Sequence, residues 1–369
     1  MKYYIISGEA SGDLHGSNLI KAIKVKDKNA EFRAWGGELM QKQGAEIVKN
    51  YKDLAFMGFA EVLMNLRTIF KNISFCKSDL LEYKPDVLIL IDYPGFNLRI
   101  AEFAKKEGIK VVYYISPQVW AWKKSRVHKI KKYVDKMLVI LPFEKDFYDK
   151  YNYDVEFVGH PLLDAIENEK FATKSEFISR NTLNNKPIIA LLPGSRKQEV
   201  ASMLNVMLSI EEQFSDYQFV IAGVESLGEE FYKPFKDKSE AKVIFGQTHS
   251  LVANSYAALV TSGTATLETA IIGTPQVVCY RGNWISVEIA KRIVDIKYIS
   301  LVNLIMDKEV VCELIQSDLN SKRLTKELNL LLDNKTRERI SLDYKLLIEK
   351  LGNKGASERA AEAIVKMID

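Results

Sequence analysis

Short, continuous apolar runs recur along this chain, and helical patterns separate them. The run Val87–Ile91 reads VLILI, and Val111–Ile115, Met137–Leu141 and Ile188–Leu192 are of the same kind. Apolar residues at every position are typical of parallel strands that are buried on both faces. Strands of this kind that alternate with helices predict an α/β fold built on doubly wound parallel sheets.

One polar segment interrupts this alternation and indicates two domains. The residues between Asp164 and Lys186 are charged and show no strand pattern, and the alternation then restarts. A chain of 369 residues, of which 47% are hydrophobic, is long enough for two separate cores. Because each half begins with a strand, a glycine-containing loop and a helix, we predict two Rossmann-like domains that face each other across a cleft. The predicted parts are an N-terminal domain (1–164), a linker (165–186), a C-terminal domain (187–322) and a helical tail (323–369).

Composition argues against several classes of function. The net charge is only +4, from 52 basic and 48 acidic residues, and no nucleic-acid-binding motif is present. The three cysteines are widely spaced and the four histidines are scattered, so neither a disulfide framework nor a metal site is expected, and a reducing cytoplasm is indicated. The N-terminal apolar run is too short for a signal peptide, and no segment is long and uncharged enough to span a bilayer. Any membrane role would therefore be peripheral.

The segment Ala257–Arg281 contains the first candidate binding site. It reads as a strand, a tight Ser262-Gly263-Thr264 turn, a helix and a second strand. The N–H groups that begin such a helix lack intrahelical acceptors, which suits an anion such as phosphate. Glu268 lies about one turn into the helix, where a carboxylate suits the two hydroxyls of a ribose. An ordinary strand–turn–helix with a solvated glutamate is the alternative.

A second loop in the same half is also suited to an anion. Pro193-Gly194-Ser195-Arg196 follows the strand Ile188–Leu192, and arginine has the charge and fork geometry for phosphate oxygens. A surface arginine in a loop is the plain alternative, but two such loops in one domain favour a diphosphate site. Since we find no DxD carboxylate pair for Mg²⁺, neutralisation of a leaving diphosphate would fall to Arg196, Arg281 and backbone N–H groups.

Acidic residues follow two predicted strands of the first half. Glu9, Ser11 and Asp13 lie in a glycine-rich loop after the first strand, where open α/β sheets bind ligands. The alternative is a turn with Asp13 stabilising the helix dipole. Asp92 follows the strand VLILI and suits a general base that takes a proton from a hydroxyl. The alternative is an Asx turn before Pro94, a common strand ending, and position alone favours this alternative.

An apolar segment and a basic helix suggest a membrane surface. Phe56–Phe75 is apolar almost all round if it is helical, and a buried core helix is the alternative. Indole rings at Trp120 and Trp122 precede a run of Lys, Arg and His, which suits an anionic lipid interface, although a solvated helix face is also consistent. The expected membrane patch comprises Phe56, Phe59, Leu63, Leu66, Trp120 and Trp122.

Taken together, the motifs resemble those of one family, the lipid-A-disaccharide synthases, which are inverting glycosyltransferases of GT-B fold. They run in order through the first 305 residues or so, and their joint occurrence is specific. The matching segments are GEASGD (Gly8–Asp13), MGFAEVL (Met57–Leu63), KPDVLILIDYPGFN (Lys84–Asn97), YISPQVWAW (Tyr114–Trp122), LPFEKDFYDKY (Leu141–Tyr151), VGHPLLD (Val158–Asp164), LLPGSRKQEV (Leu191–Val200), SGTATLE (Ser262–Glu268), YR (Tyr280–Arg281) and SLVNL (Ser300–Leu304).

The resemblance implies a reaction. UDP-2,3-diacylglucosamine and 2,3-diacylglucosamine 1-phosphate would give a β(1→6)-linked disaccharide 1-phosphate and UDP, with no metal or other cofactor. It also implies a cytoplasmic enzyme that is peripheral on the inner membrane, and a homodimer formed by exchange of C-terminal segments. By position in the motifs, Asp92 corresponds to the general base, Arg196 to the diphosphate ligand, and Asn303 to a further UDP contact. Ser262, Gly263 and Thr264 would form the phosphate turn, Glu268 would bind ribose, and Glu9, Ser11 and Asp13 would line the acceptor side.

The sequence leaves two rival functions open. A UDP-N-acetylglucosamine 2-epimerase, or a transferase with another acceptor, would use the same two-domain plan. A non-catalytic adaptor at the membrane surface would explain the apolar segment and the basic helix, but it would need neither the PGSR loop nor Glu268.

Overall fold

The computed structural model describes residues 1–53, 66–121, 124–167, 169–282 and 297–368, with Leu66 described by its backbone alone. These residues form two compact units. The first unit consists of Met1–Asp164 together with Leu351–Asp369, and the second consists of Ala165–Lys350. The predicted linker and most of the predicted tail therefore belong to the second unit.

The first unit contains a seven-stranded sheet in which all paired strands are parallel. Along the sheet the order is β3-β2-β1-β4-β5-β6-β7. The strands are β1 (Lys2–Ile6), β2 (Glu31–Gly36), β3 (Glu46–Asn50), β4 (Val87–Ile91), β5 (Lys110–Tyr114), β6 (Lys136–Val139) and β7 (Glu156–Phe157). Between them lie the helices α1 (Ala10–Lys26), α2 (Glu38–Lys42), α3 (Leu66–Tyr83), α4 (Pro94–Lys106), α5 (Arg126–Tyr133) and α6 (Phe143–Asp149), with α7 (Pro161–Glu167) after β7.

The second unit contains a six-stranded parallel sheet of order β10-β9-β8-β11-β12-β13. Its strands are β8 (Ile188–Leu192), β9 (Gln218–Gly223), β10 (Lys242–Phe245), β11 (Ala257–Thr261), β12 (Gln276–Tyr280) and β13 (Glu313–Ile315). Its helices are α8 (Lys174–Arg180), α9 (Lys197–Leu208), α10 (Gly228–Lys236), α11 (Thr248–Ala253), α12 (Thr264–Ile272), α13 (Leu301–Met306), α14 (Ser321–Leu332) and α15 (Asn334–Lys350). The predicted α/β fold with parallel sheets is confirmed.

The apolar runs form the centre of each sheet. Every residue of β4, β8 and β11 is buried, as the unbroken hydrophobic pattern of β4 and β8 predicts. Complete burial of a Val, Leu or Ile side chain stabilises a fold by about 1.5–3 kcal/mol, so these strands hold each unit together.

The last helix of the chain returns to the first unit. After α15 the chain forms α16 (Ala356–Ile368), which packs against α1. Ala360, Ala361 and Ile364 of α16 are buried. The homodimer by exchange of this segment stays a prediction, and within one chain α16 completes the first unit.

The strand orders determine where ligands bind. In open α/β sheets the binding crevice lies at the carboxyl ends of the strands, where the strand order reverses. The reversal falls between β1 and β4 in the first sheet and between β8 and β11 in the second. The loops that follow these four strands contain Glu9, Asp92, Arg196 and Gly263. Both switch points therefore coincide with motifs that the sequence singled out.

Candidate functional sites

A cavity of about 540 Å³ lies at the switch point of the second sheet. It brings together Arg196 and the predicted turn Ser262-Gly263-Thr264. Ser195, from the predicted PGSR loop, also lines it. Sequence reasoning assigned no role to several other lining residues, although most of them lie at strand ends or in the motif loops: Glu199, Thr248, Thr261 and Tyr280. The Thr261 hydroxyl is buried and has no hydrogen-bond partner among the described residues.

The turn after β11 presents N–H groups to this cavity. Gly263 is the N-cap of α12, and Gly263, Thr264 and Ala265 line the cavity. The hydroxyl of Thr266 donates to the Gly263 carbonyl (2.8 Å), which fixes the turn. Because the first N–H groups of a helix have no intrahelical acceptor, this end of α12 favours an anion.

The PGSR loop is shaped by a glycine and a glutamate. Gly194 has φ +103°, and a Cβ at this position would lie 2.2 Å from a carboxylate oxygen of Glu199. That carboxylate accepts a hydrogen bond from the Ser195 N–H (3.1 Å). Arg196 is the N-cap of α9. It is exposed to solvent and forms no ion pair with any described residue. The guanidinium is therefore available to bind an anion at the cavity.

Glu268 lies one turn along α12, outside the residues that line the cavity. Its carboxylate lies 3.5 Å from Nε2 of His249, which is the second residue of α11. The first residue of α11, Thr248, lines the cavity. Glu268 is therefore close to the site, and its proposed contact with ribose stays a prediction.

Two residues that were predicted to bind the nucleotide already have hydrogen-bond partners within the protein. Asn303 is fully buried: its amide donates to the Val311 carbonyl (2.8 Å) and to Glu313 (2.9 Å), and its carbonyl oxygen accepts from Val310 N (2.8 Å) and Val311 N (3.1 Å). Since an amide side chain has no capacity beyond these four hydrogen bonds, the expected UDP contact is corrected to a structural role. Arg281 is an exposed residue that donates to the Leu319 carbonyl and does not line the cavity.

Asp92 occupies an unusual backbone position at the switch point of the first sheet. Asp92 has φ +42° and Tyr93 has φ +49°, which are left-handed values at two consecutive non-glycine residues. Such conformations cost on the order of 1–3 kcal/mol each and persist only where the surroundings enforce them. Here Asn97 donates to the Asp92 carbonyl (2.7 Å), and the Tyr113 hydroxyl donates to the same oxygen. The backbone around Asp92 is therefore held firmly.

The Asp92 carboxyl group has a raised pKa. Its surroundings bury the carboxyl group and disfavour its charged form, and the negative charge of Glu9 acts in the same direction, so that the pKa rises to about 6. Part of Asp92 is exposed to solvent, and the Tyr93 N–H donates to its carboxylate, which lowers the pKa but is the weakest of the three effects. A carboxylate with a pKa near 6 is ionised at neutral pH and is a stronger base than an ordinary aspartate.

The loop after β1 divides into exposed and buried acidic residues. Glu9 and Ser11 are exposed at the start of α1, and their place on the acceptor side stays a prediction. Asp13 is only 2% exposed, and its carboxylate accepts from Gly37 N (2.8 Å), Leu39 N (3.1 Å) and Met40 N (3.1 Å). These bonds cap α2, so the expectation that Asp13 lines the acceptor side is corrected.

The expected membrane patch lies largely outside the described residues. This applies to Phe56, Phe59, Leu63, Trp122 and the side chain of Leu66. Trp120 is described and is buried, with its ring edge-to-face on Phe143 at 4.9 Å between centroids. Because this packing removes the indole from solvent, its expected place at a lipid interface is corrected.

Comparison with known proteins identifies close relatives. A family model described as lipid-A-disaccharide synthetase matches residues 3–368. A lipid-A-disaccharide synthase from Syntrophus aciditrophicus is 41% identical, covering 99% of this chain and 97% of the relative. One from Coxiella burnetii is 36% identical, covering 99% of this chain and 98% of the relative.

Solved structures share the fold at low sequence identity. A UDP-GlcNAc 2-epimerase from Methanocaldococcus jannaschii, in complex with UDP-GlcNAc and UDP, has a TM-score of 0.65 and 17% identity, covering 99% of this chain and 100% of that chain. The glycotransferase of kitacinnamycin has a TM-score of 0.67 and 13% identity, covering 100% of this chain and 99% of that chain. At these identities the likeness concerns the fold alone.

Proposed function

Because the chain belongs to the lipid-A-disaccharide synthetase family, it is a glycosyltransferase of lipid A biosynthesis, and we propose which of its residues carry out the transfer. The reaction moves 2,3-diacylglucosamine from UDP to the 6-hydroxyl of 2,3-diacylglucosamine 1-phosphate, with inversion and a β(1→6) linkage. The observation that supports our assignment is the coincidence of motif residues with the switch points of both sheets.

In our proposal the diphosphate of UDP binds the cavity of the second unit. Arg196 contributes a guanidinium that has no ion-pair partner among the described residues, and the Ser262–Thr264 turn contributes the N–H groups at the start of α12. Charge that builds on the leaving diphosphate would be stabilised by these groups, and we propose that the transfer needs no metal or other cofactor. Glu268 would accept hydrogen bonds from the ribose hydroxyls.

Asp92 acts in this proposal as the general base. It takes the proton of the acceptor 6-hydroxyl while that oxygen attacks the anomeric carbon, and the bond between this carbon and UDP breaks. The proton ends on the Asp92 carboxyl group, the electron pair leaves with UDP, and attack from the opposite face gives inversion. Glu9 and Ser11 would contact the acceptor.

Product analysis tests this function directly. The protein is incubated with UDP-2,3-diacylglucosamine and 2,3-diacylglucosamine 1-phosphate in the presence of EDTA, and we expect the disaccharide 1-phosphate and UDP. Incubation with UDP-N-acetylglucosamine alone should leave it unchanged, whereas an epimerase would convert it. Absence of disaccharide with intact donor would contradict the proposal.

The acidic limb of the pH profile of kcat/KM should report the ionisation of Asp92. Because the base must be ionised and its pKa is about 6, we expect the ionisation of Asp92 to leave kcat/KM constant above about pH 7 and by itself to lower it about tenfold per pH unit well below pH 6. The Glu9→Gln variant removes a neighbouring negative charge, so its limb should move to lower pH. The acceptor phosphate titrates in the same pH range, but it changes the profiles of the wild type and of the Glu9→Gln variant equally. An unshifted limb in the variant would count against Asp92.

We also propose that the enzyme works at a membrane surface. The exposed side of α5 carries His128, Lys129, Lys131 and Lys132, which favours anionic lipid headgroups. Among the described residues, no helix has the length and apolar character needed to cross a bilayer. The proposed location is the cytoplasmic face of the inner membrane.

Neutralising α5 should weaken binding to vesicles that contain anionic lipid. Each lysine near such a surface contributes about 1 kcal/mol, so the double variant Lys129→Gln/Lys132→Gln should bind about 30-fold more weakly in sedimentation at low salt. The control is Lys105→Gln/Lys106→Gln, whose lysines are already paired with Asp135 and Glu102. Equal vesicle binding by the two double variants would refute a role for α5.

A further inference from the structure

Helix α11 lies between the nucleotide cavity and the segment through which the chain enters the second unit. Its first residue, Thr248, lines the cavity. Its next residue, His249, is directed toward two carboxylates, and only a quarter of its side chain is exposed. The chain leaves the first unit at Asp164, and Glu169 follows five positions later.

His249 forms a bridge between this entering segment and α12. Its Nδ1 contacts the carboxylate of Glu169, and its Nε2 lies 3.5 Å from the carboxylate of Glu268. A protonated imidazole donates from both nitrogens, so it serves both acceptors at once. Of the three residues, Glu268 is the one assigned to ribose.

Further hydrogen bonds fix the entering segment to α11. Ala172 N donates to the hydroxyl of Ser250 (3.4 Å), and the Asn254 amide donates to the Ala172 carbonyl (2.9 Å). A capping box at Thr173 then begins α8, whose Phe177 is fully buried. Glu169 is thus held at a defined distance from α11.

We propose that His249 is a positioning residue, which ties the segment joining the two units to the carboxylate that binds the ribose of the nucleotide. This inference rests on the proposed assignment of Glu268 and adds a connection that the transfer chemistry does not require. Glu268 and Glu169 both contact the imidazolium of His249. Binding of a nucleotide to Glu268 and the position of Glu169 therefore affect each other reciprocally.

Electrostatics keeps the bridge charged at neutral pH. Hydrogen bonding to Glu268 contributes most and hydrogen bonding to Glu169 adds to it, while burial opposes both, and the pKa of His249 is raised to about 9. The two glutamates are the charged groups that act on the imidazole. Because the raised pKa favours the charged form in the folded protein, the bridge is intact at pH 7 and is lost as the pH rises through about 9.

Calorimetric titration with UDP tests the proposal. Glu169→Gln and His249→Gln should each lower the affinity by about five- to tenfold at pH 7.5, although Glu169 is not assigned to the nucleotide. Glu229→Gln is the matched control, since Glu229 is an exposed glutamate of the same unit. Glu268→Gln should weaken UDP binding at least as much as the other two variants.

A pH series separates positioning from a merely structural role. In Glu169→Gln the imidazole has lost one carboxylate, so its pKa falls and the positive charge that faces Glu268 is lost at lower pH than in the wild type. The ratio of the wild-type to the Glu169→Gln association constant should therefore rise between pH 7 and 9. Titration of the uracil ring affects both proteins and cancels in this ratio.

The outcomes distinguish the inference from the function on which it rests. If Glu268→Gln weakens UDP binding while Glu169→Gln matches the Glu229→Gln control at every pH, the bridge is refuted and the ribose assignment stands. If Glu268→Gln binds UDP like the wild type, the ribose assignment fails and the inference fails with it. Should His249→Gln not fold, the Glu169→Gln ratio alone decides, and a ratio that does not change with pH overturns the proposal.

Discussion

Replacing Asp92 by asparagine is expected to lower kcat by about 10²–10⁴-fold and to leave the affinity for UDP unchanged. Asparagine has the size of aspartate but cannot take a proton from the acceptor hydroxyl. The diphosphate and ribose contacts are assigned to the second unit, so the substitution does not touch them. Single-turnover rates and UDP calorimetry on the same preparation measure the two quantities.

The same variant should be at least as stable as the wild type. The pKa of Asp92 in the folded protein, about 6, lies above its ordinary value of 3.8. The folded state therefore disfavours the charged carboxylate, and this cost is present above pH 6 and disappears as the pH falls below about 4. Asparagine removes the charge, and it tolerates left-handed backbone angles as well as aspartate does. Thermal unfolding at pH 7.5 measures the difference.

Glu102→Gln is the matched control for this experiment. Glu102 is a carboxylate of the same unit that pairs with Lys106 on the surface of α4, and its loss should change neither turnover nor UDP binding. Near-normal turnover by Asp92→Asn would remove Asp92 from the role of base. A large loss of UDP affinity in the same variant would show that the residue acts on the donor.

Replacing Arg196 by alanine is expected to lower kcat/KM by about 10²–10³-fold. The guanidinium neutralises charge that grows as the diphosphate leaves, so kcat should fall more than UDP affinity. Lysine restores the charge but not the two-pronged geometry, and Arg196→Lys should recover only part of the activity. Steady-state kinetics with both variants give the separation of kcat from KM.

Arg180→Ala serves as the control, because Arg180 is an exposed arginine at the end of α8 in the same unit. Its removal should leave kcat/KM within about twofold of the wild type, since surface substitutions away from a site have small effects. If Arg196→Ala behaves like Arg180→Ala, the diphosphate must be held by other groups.

The centres of both sheets could be predicted from sequence, whereas several outer strands could not. The runs that form β4 and β8 are apolar at every position because both faces are covered. At the edge of the first sheet, β3 contains Glu46, Lys49 and Asn50, and none of its residues is buried. Half-exposed strands tolerate polar residues, so they show no distinct hydrophobic pattern.

The same contrast holds for the candidate sites. Arg196 and the Ser262–Thr264 turn, which line one cavity, could be singled out because glycine-containing loops at strand ends have a local signature. Asp13 and Asn303 were misassigned because their partners lie elsewhere along the chain, at Gly37–Met40 for Asp13 and at Val310–Glu313 for Asn303. A polar residue that caps a distant segment has the same sequence appearance as one that binds a ligand. Likewise, His249 lies in no recognised motif, and only the folded chain brings Glu169 and Glu268 to it.

The return of α16 to α1 has a consequence for biosynthesis. The first unit begins at residue 1 but receives its last helix from residues 356–368. During translation its N-terminal segment therefore emerges before that helix. The surface of α1 that α16 covers stays uncovered while the whole second unit is synthesised. The first unit can therefore complete its fold only after the second unit has been translated and residues 356–368 have followed it.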